Sequence, residues 1–537
     1  MKYTYKEKKP GSVFYISAIL VAMFVLWGFI SPSSLDHVAS NALNATIENF
    51  GWFYMVVAAF FVGFVIFLAV SPYGRLRLGK PDDRPEYNFY TWVGMLFSAG
   101  IGVGFVFWGV AEPVLYYVDT PHGVIPETAE AARVGLRYAI YHWALHPWAI
   151  FSLVALALAY VQYRKDQPAL ISSAFYPLFG KRMDGWFGRA IDILAVLATS
   201  TGVATTFGLS AMQISGGLSY LTNIPNTVLT QMIIIVIVTI LFMFSAASGL
   251  NKGIKYLSII NLTTAAILLL FILIAGPTLF IFENMVTALG GYITNLVPMS
   301  LTLTPYTDSV WLGSFTIFYW AWHIAWAPFM GLFIARISRG RTIREFMAGV
   351  LIVPTLLAII WFSAFGGSAL HIEVFGNGGI ADIVLENVEL ALFATLGEFP
   401  LGSIMSLLAV ILILIFFITS ADSASYVLGA MTSRGSLNPT MGVKIVWGFL
   451  IAGTASVLLL SGGLGGLQTA SIVAALPFAV IMILMVISII VMMSKDLKLE
   501  KRKFRKKQRE LIKEEILEEL EEEYDLEPTN NNEDDKN

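Results

Sequence analysis

The sequence contains no cysteine, and charged residues occupy only 13% of its 537 positions. The lack of cysteine excludes disulfide bonds and thiolate metal sites. The scarcity of charge, with 57% hydrophobic residues, a mean hydropathy of +0.72 and a net charge of −3, excludes an ordinary soluble protein. Complete GxxxxGK[ST], GxGxxG and HExxH motifs are also missing. We therefore expect neither an enzyme nor a nucleic-acid-binding protein.

Long apolar runs are what the sequence has instead. A helix needs about 20 apolar residues to cross about 30 Å of hydrocarbon, and the chain supplies twelve such runs. The predicted fold class is an all-α polytopic membrane protein with twelve transmembrane helices. The predicted spans are 13–31, 52–71, 89–116, 136–163, 190–215, 227–247, 256–283, 314–336, 346–367, 401–428, 441–462 and 468–494.

The distribution of lysine and arginine predicts how these spans are oriented. Both residues accumulate in the amino-terminal segment and in alternate loops, whereas the intervening loops 32–51, 284–312 and 368–400 contain neither. Cytoplasmic loops are enriched in positive charge. We therefore expect a multi-pass protein of the cell membrane with both termini in the cytoplasm.

The third span contains three alternating glycines, Gly100, Gly102 and Gly104, within the stretch SAGIGVGFVFWGVAEP. Glycine disfavours a helix by about 1 kcal/mol relative to alanine, and unwound backbone survives in lipid only where it lines a cavity or is buried in protein. One interpretation is close helix packing through small residues. The other, which we favour, is a broken helix at a binding site. Glu112, near the end of this span, is expected to be a solvated or capping carboxylate at the membrane edge, and a gating role is the alternative.

Aromatic residues cluster in the fourth and eighth spans. Span four reads YHWALHPWAIF over 141–151, and span eight reads FYWAWHIAWAP over 318–328. Pro147 and Pro328 each remove a helical hydrogen bond. We therefore expect a kink in span four and a second broken element between Trp320 and Gly331.

Tryptophan rings in a low-charge membrane cavity suit one class of ligand, a poorly hydrated quaternary ammonium ion. Ring faces attract such a cation by about 2 kcal/mol or more when it is desolvated. Unpaired backbone N–H groups in a broken helix are suited to bind a carboxylate at the other end of the ligand. The glycine segment offers such groups at Gly100, Ile101, Gly102 and Gly104. The residues thus predict a small zwitterion as the substrate.

Three sets of polar residues lie within the spans. The hydroxyls of span five, among them Thr199, are expected to bond back to their own helix rather than to coordinate an ion. His142 and His146 have a metal-site spacing, but we favour hydrogen-bonding roles because no glutamate completes HExxH. Asp422 follows a predicted hydroxyl-rich turn in span ten. It is a functional candidate because a carboxylate within a membrane is costly.

The order of the spans predicts two halves. Spans three to seven and spans eight to twelve each begin with an interrupted, aromatic-rich helix, a pattern typical of inverted repeats with the substrate at their interface. The predicted segments are a cytoplasmic amino terminus (1–12), two peripheral helices (13–88), a first five-helix repeat (89–283), an extracellular amphipathic helix (284–313), a second repeat (314–494) and a charged cytoplasmic tail (495–537).

The charged tail is basic over 495–513 and acidic over 514–527. We expect a helix followed by a disordered end. One interpretation is a solvated tail that reinforces the orientation of the chain. The other is an electrostatic sensor that binds anionic lipid with about 1 kcal/mol per basic residue. Its candidate residues are Lys501, Arg502, Lys503, Arg505, Lys506 and Lys507.

Four stretches in order resemble the betaine/carnitine/choline transporter family: GIGVGFVFWGVAEP, HWALHPWAI, FYWAWHIAWAPF followed by ARISRGRTIREF, and FFITSADSAS. The resemblance covers nearly the whole transmembrane region and is greatest to bacterial glycine betaine members. It implies the inverted-repeat fold and sodium-driven symport of compatible solutes. It further implies a homotrimer and activation by osmotic stress through the tail.

The same resemblance implies an aromatic box for the trimethylammonium group, formed by Trp143, Trp148, Phe151, Trp322, His323 and Trp326. Betaine members usually have tyrosine in place of Phe151 and tryptophan in place of His323. Histidine is a weaker cation platform but forms hydrogen bonds, which makes an ectoine-like ligand an alternative. Choline-type members have aspartate in place of Gly104, so its absence disfavours a ligand without a carboxylate.

The resemblance also implies a sodium site with the oxygen ligands that a hard cation prefers. Its residues would be Ser98, Ile101, Phe416, Thr419 and Ser420. Thr199 matches one residue of a second sodium site, where Val203 replaces the expected partner. Sodium-independent exchangers of the family carry an arginine instead of the ion, and 190–216 contains no Arg or Lys. Sodium symport of glycine betaine is the leading hypothesis. The alternatives are another zwitterion such as ectoine, a sodium-independent exchanger, and an osmosensor without transport.

Overall fold

The computed structural model describes residues 10–100, 102–247, 251–307, 310–436 and 438–525. Within these ranges the regular structure is helical, apart from an isolated β-bridge between Arg77 and Thr342. The helices are α1 (Ser12–Ile30), α2 (Pro32–Val70), α3 (Phe89–Gly100), α4 (Val103–Val118), α5 (Ala129–Trp143), α6 (Leu145–Ala159), α7 (Tyr176–Phe179), α8 (Trp186–Leu221), α9 (Val228–Ala247), α10 (Asn251–Ala275), α11 (Thr278–Leu301), α12 (Val310–Leu312), α13 (Phe318–Ile337), α14 (Ile343–Phe375), α15 (Ile380–Glu386), α16 (Ala391–Gly397), α17 (Gly402–Thr432) and α18 (Met441–Asp525).

Long apolar helices dominate the described part of the chain. Nine helical segments there are long and apolar enough to cross a membrane, and α4 and most of α9 are shorter apolar helices. Many large apolar side chains on these helices are exposed, for example Ile30 at 82% and Ile274 at 79%. Such a surface is stable only against an apolar medium. The chain is therefore an all-helical, multi-pass membrane protein, as its hydropathy predicts.

Several helix boundaries differ from the predicted spans. Helix α2 begins at Pro32, so the predicted loop 32–51 is helical; proline is favourable at the first position of a helix. A new helix, α11, begins after Pro277 and takes in the end of the predicted seventh span. The residues from Thr419 to Ala424 lie inside α17 and not in a turn. The apolar face of a helix sets its depth in lipid, but a helix can extend beyond its apolar run.

The glycine segment breaks the third span as predicted. Helix α3 ends at Gly100 and α4 begins at Val103, with Gly102 between them in an extended conformation (φ −145°, ψ −176°). The fourth span is also interrupted, at Ala144 (φ −89°, ψ −122°). Pro147 follows in the first turn of α6, where a missing N–H leaves no helical bond unmade.

The predicted break in the eighth span is wrong. Helix α13 continues through Pro328, and the irregular turn lies earlier, as a π-helix at Gly313–Ile317. Gly331 of α13 lies against Val154 of α6, so closely that an added Cβ would overlap that valine. Close packing between two long helices keeps α13 continuous although proline removes one of its hydrogen bonds.

The α2–α3 connection and the α13–α14 connection are joined by backbone hydrogen bonds. Leu78, between α2 and α3, donates its N–H to the carbonyl of Arg341 (2.8 Å), and Gly340 donates to the carbonyl of Leu78 (2.8 Å). The side chain of Arg341 is 2% exposed and lies 4.0 Å from the ring centroid of Trp92. It donates to the carbonyls of Tyr87 (3.0 Å) and Asn88 (3.3 Å) and to Glu345. These bonds fix the start of α3, and with it the glycine segment, to the α13–α14 connection.

Residues 489–537 form a second compact unit, described as far as Asp525. Its described part is helical, in agreement with the predicted helix. The six candidate lipid-binding residues are exposed. The pair formed by Lys506 and Glu510, 3.7 Å apart, is also exposed and contributes little to stability.

We expect Arg341→Ala to destabilise the protein by about 3 kcal/mol, the upper range for loss of one charged hydrogen-bond donor. Arg341→Lys should not restore stability, because an ammonium group lacks the planar fork that stacks on Trp92 while binding two carbonyls. Thermal unfolding of the purified protein in detergent measures both effects. Arg339→Ala, at an exposed neighbouring arginine, is the control. An Arg341→Lys protein as stable as the wild type would contradict the assignment.

Candidate functional site

Six rings from three helices form one cluster, which we call the aromatic cluster: Trp143, Trp148, Phe151, Trp322, His323 and Trp326. The ring centroid of His323 lies 5.4 Å from that of Trp143, 5.8 Å from that of Trp322 and 5.6 Å from that of Phe151. Phe151 in turn lies 5.5 Å from Trp148 and 5.7 Å from Trp326. The rings predicted on spans four and eight thus meet in the interior, with His323 at their centre.

The glycines of the broken helix differ in what they face. At Gly104 an added Cβ would overlap the ring of Trp143 and lie 3.3 Å from that of Trp322. At Gly102 nothing lies within 4 Å of the same position. Gly104 therefore allows α4 to approach the aromatic cluster, whereas Gly102 faces open space. Close packing, the first interpretation of the glycine segment, therefore describes Gly104, and the second, a binding site at the broken helix, stays a prediction.

Hydrogen bonds fix the orientation of two indoles in the cluster. The Nε1–H of Trp143 donates to Oε2 of Glu112 (2.8 Å), and that of Trp322 donates to the carbonyl of Gly202 (3.1 Å). Both acceptors are buried. Because a buried indole N–H needs a hydrogen-bond acceptor, each bond determines which face its ring presents to the cluster.

Glu112 is buried inside α4, and the prediction that it is solvated or capping is wrong. Its side chain is 1% exposed, and Oε1 accepts from the hydroxyl of Tyr116 (3.0 Å) and lies 2.5 Å from Nδ1 of His142. The other ring nitrogen of His142 lies 3.0 Å from Oγ1 of Thr316. The sequence does show a carboxylate within an apolar helix. It does not show that the carboxylate is buried, because its hydrogen-bond partners come largely from other helices.

A cavity of about 530 Å³ adjoins the aromatic cluster; we call it the inner cavity. Trp326 and Gly102 are among the residues that line it. Four of the predicted sodium ligands line it, namely Ser98, Phe416, Thr419 and Ser420. The fifth, Ile101, lies outside the described residues. The volume falls within the usual range for small-molecule sites.

The remaining polar candidates form hydrogen bonds within the protein. The hydroxyl of Thr199 donates to the carbonyl of Ala195 (2.7 Å), the bond within its own helix that we expected. His146 lies 3.0 Å, through Nε2, from the hydroxyl of Ser300. Both histidines thus have hydrogen-bonding roles. Among the described residues, no three His, Cys, Asp or Glu side chains are grouped to hold a metal ion.

We expect Glu112→Ala to destabilise the protein by about 3–5 kcal/mol, because it leaves three buried polar groups without their shared acceptor. Glu112→Gln should be less harmful, since its amide oxygen can still accept from Trp143. Thermal unfolding in detergent, followed by tryptophan fluorescence, measures stability and the environment of the indole together. Equal losses for the two variants would show that the bond to Trp143 is unimportant.

Comparison with known proteins agrees with this architecture. Residues 12–498 match the model of the betaine/carnitine/choline family transporter. The glycine betaine transporter OpuD of Bacillus subtilis (strain 168) is 50% identical over 492 residues, which cover 91% of this chain and 95% of the relative. An ectoine/hydroxyectoine transporter of Virgibacillus pantothenticus is 47% identical over 494 residues, covering 92% and 98%. A probable glycine betaine transporter of Desulfitobacterium hafniense (strain Y51) is 41% identical over 493 residues, covering 91% and 99%. The match over nearly the whole length shows that this chain belongs to the betaine/carnitine/choline family of transporters.

Proposed function

We propose that the protein imports a small zwitterionic compatible solute, first of all glycine betaine, by secondary active transport coupled to sodium. The observation that carries the proposal is the meeting of six rings, five buried and Trp326 partly exposed, beside an inner cavity lined by hydroxyl-bearing residues. Relatives at 50% and 41% identity carry the names of glycine betaine transporters.

The aromatic cluster suits a methylated cation because its ring faces replace the water that the cation loses. Glu112 does not compete for this role, since its oxygens are already held by Trp143, Tyr116 and His142. The ligand carboxylate would lie at the broken helix between α3 and α4. There Gly102 leaves open space, and the first N–H groups of α4 lack helical partners.

The sodium ion would occupy the inner cavity next to the substrate. Ser98 of α3 and Thr419 and Ser420 of α17 line the same space as Trp326 of α13. An ion and a substrate that stabilise the same arrangement of helices raise each other's affinity. That reciprocity is the physical basis for sodium-driven uptake. Thr199 is not among the residues that line the inner cavity, so we place the coupling ion at the first site.

The twelve-span inverted repeat is the topology we propose for the described helices. In this topology α3 and α4 together form one span, and α5 and α6 together form another. The two arms of α18, which separate at Gly463 (φ 55°), form one span each. The other spans are α1, α2, α8, α9, α10, α13, α14 and α17. The inner cavity extends to Asn438 in the α17–α18 connection. If the lysine- and arginine-rich loops are cytoplasmic, the protein is open to the inside. The exposed basic helix would sense lipid and osmotic stress, and the homotrimer implied by the resemblance is part of the same proposal.

Ectoine is the second candidate substrate, and His323 is the observation that favours it. Its ring is 3% exposed, and its Nδ1 is buried without a hydrogen-bond partner within the described part of the chain. A buried nitrogen without a partner favours a ligand that hydrogen-bonds to it. The cyclic amidinium of ectoine offers such N–H groups, whereas a trimethylammonium offers none. The ectoine/hydroxyectoine transporter among the relatives is 47% identical.

We expect proteoliposomes containing the protein to accumulate labelled glycine betaine when a sodium gradient is imposed and not when it is collapsed. Trp326→Ala should lower uptake at least tenfold, because the variant removes a ring shared by the cluster and the cavity. Trp186→Ala, at a tryptophan that is 65% exposed, is the matched control.

Three results would redirect the proposal. Uptake only into vesicles preloaded with substrate would identify an exchanger. Normal uptake by the Trp326→Ala protein would exclude the aromatic cluster as the binding site. A protein that responds to osmotic stress without moving any solute would be a sensor.

We expect His323→Trp to shift preference towards glycine betaine by several fold, because the indole adds a stronger cation platform and removes the free imidazole nitrogen. Competition between labelled glycine betaine and unlabelled ectoine measures the change in the ratio of the two affinities. Phe151→Tyr, which adds a hydroxyl and keeps the ring face, is the companion variant and should alter the ratio less. An unchanged ratio in the His323→Trp protein would remove the argument for ectoine.

A further inference from the structure

The inner cavity continues well beyond the groups used so far. Arg336 lies ten residues after Trp326 on α13, about 15 Å along the helix axis, and both line the cavity. Asp422, Tyr426 and Lys444 also line the cavity, and Asp422 follows the proposed sodium ligand Ser420 by two residues on α17. We call the part of the cavity lined by these three residues and Arg336 the charged vestibule. Neither the aromatic cluster nor the proposed sodium ligands account for its charges.

Asp422 supplies the negative charge of the vestibule. Its side chain is half-buried and makes no hydrogen bond or ion pair among the described residues; only its main-chain carbonyl accepts, from Ser425. A carboxylate within a transmembrane helix is costly unless it serves a ligand or a partner. The opposing Lys444 is near enough for the two charges to interact, but it does not form an ion pair with Asp422. The carboxylate therefore remains available to the cavity.

Arg336 and Lys444 supply two positive charges, and both are held by the same neutral ring. The guanidinium carbon of Arg336 lies 5.9 Å, and the ammonium of Lys444 5.6 Å, from the ring centroid of Tyr426. Arg336 also donates to the hydroxyl of Tyr426 (3.4 Å). Within the described part of the chain neither cation forms an ion pair, although Lys444 is near enough to Asp422 for their charges to interact. The charged vestibule thus places one carboxylate and two cationic side chains around the same cavity.

We propose that the charged vestibule is a second, weaker binding site for the transported zwitterion. The cationic end of the solute faces the carboxylate of Asp422, and its carboxylate faces Arg336 and Lys444. This inference rests on the proposed function, because it follows the same substrate along the same cavity. A solute leaving the aromatic cluster would find its charges paired here before it is fully hydrated. A ligand with only one of the two charges would engage half of the site.

Equilibrium binding of labelled glycine betaine to the purified full-length protein tests the proposal. The wild type should bind in two saturable steps, a tight one and a weak one. Asp422→Asn and Lys444→Gln, which remove opposite charges, should each weaken the second step at least tenfold and leave the first within twofold. Trp143→Ala, whose residue does not line the cavity, should remove the tight step and retain the weak one. Choline, which has no carboxylate, should compete poorly for the weak step.

Matched controls distinguish loss of the proposed site from a general effect of changing the charge of the protein on solute binding. Asp82→Asn and Lys181→Gln alter exposed residues away from the cavity and should bind like the wild type. If Asp422→Asn does not fold, Lys444→Gln tests the same site from the other side. A single binding step in the wild type would overturn the inference. An Asp422→Asn protein with altered sodium affinity and unaltered weak solute binding would also overturn it, assigning Asp422 to the ion.

The failures of the two proposals are distinguishable. Saturable uptake together with vestibule variants that match their controls would reject the vestibule alone. Absence of saturable binding and of sodium-driven uptake for both glycine betaine and ectoine would reject the proposed function itself.

Discussion

The structure depends on one constraint, that a polar group buried in a membrane protein must find its partner within the protein. The indoles of Trp143 and Trp322 show this most directly. Each carries an N–H that must be satisfied, and the acceptors are a carboxylate on α4 and a carbonyl on α8. Satisfying these bonds fixes the ring planes. The same bonds that remove a cost of burial therefore shape the apolar surface at which a cation would bind.

The close approach of the helices follows from that arrangement. Gly104 lets α4 reach the rings of Trp143 and Trp322, and Gly331 lets α13 lie against Val154. Larger residues at these two positions would separate the elements that carry the cluster and its anchors. At Gly102, where no neighbour lies within 4 Å, the absent side chain has the opposite consequence and leaves room. On one broken helix, Gly104 thus allows close packing, whereas Gly102, two positions earlier, leaves open space.

The inner cavity is lined by groups of three kinds. Trp326 of the aromatic cluster, the hydroxyls of α17, and the charged side chains of Asp422, Arg336 and Lys444 all line the same space. If a zwitterion leaves the aromatic cluster through this cavity, as we propose, ring faces and charged side chains would both replace part of its hydration. Apolar, hydroxyl and charged surfaces are thus combined in one cavity.

The sequence by itself determined the membrane class, the family resemblance, the position of the break at Gly102 and the identity of the rings, because hydropathy, helix propensity and ordered motifs are properties of neighbouring residues. It did not determine that Glu112 is buried, since its partners come from other helices and Trp143 lies 31 residues away. Nor did it reveal the carbonyl of Gly202, 120 residues before Trp322. Proline propensity predicted a break at Pro328, but packing of α13 against α6 kept the helix continuous. Only the tertiary structure decided these features, because the energies of burial and hydrogen bonding at the site are shared between distant segments that local sequence patterns cannot pair.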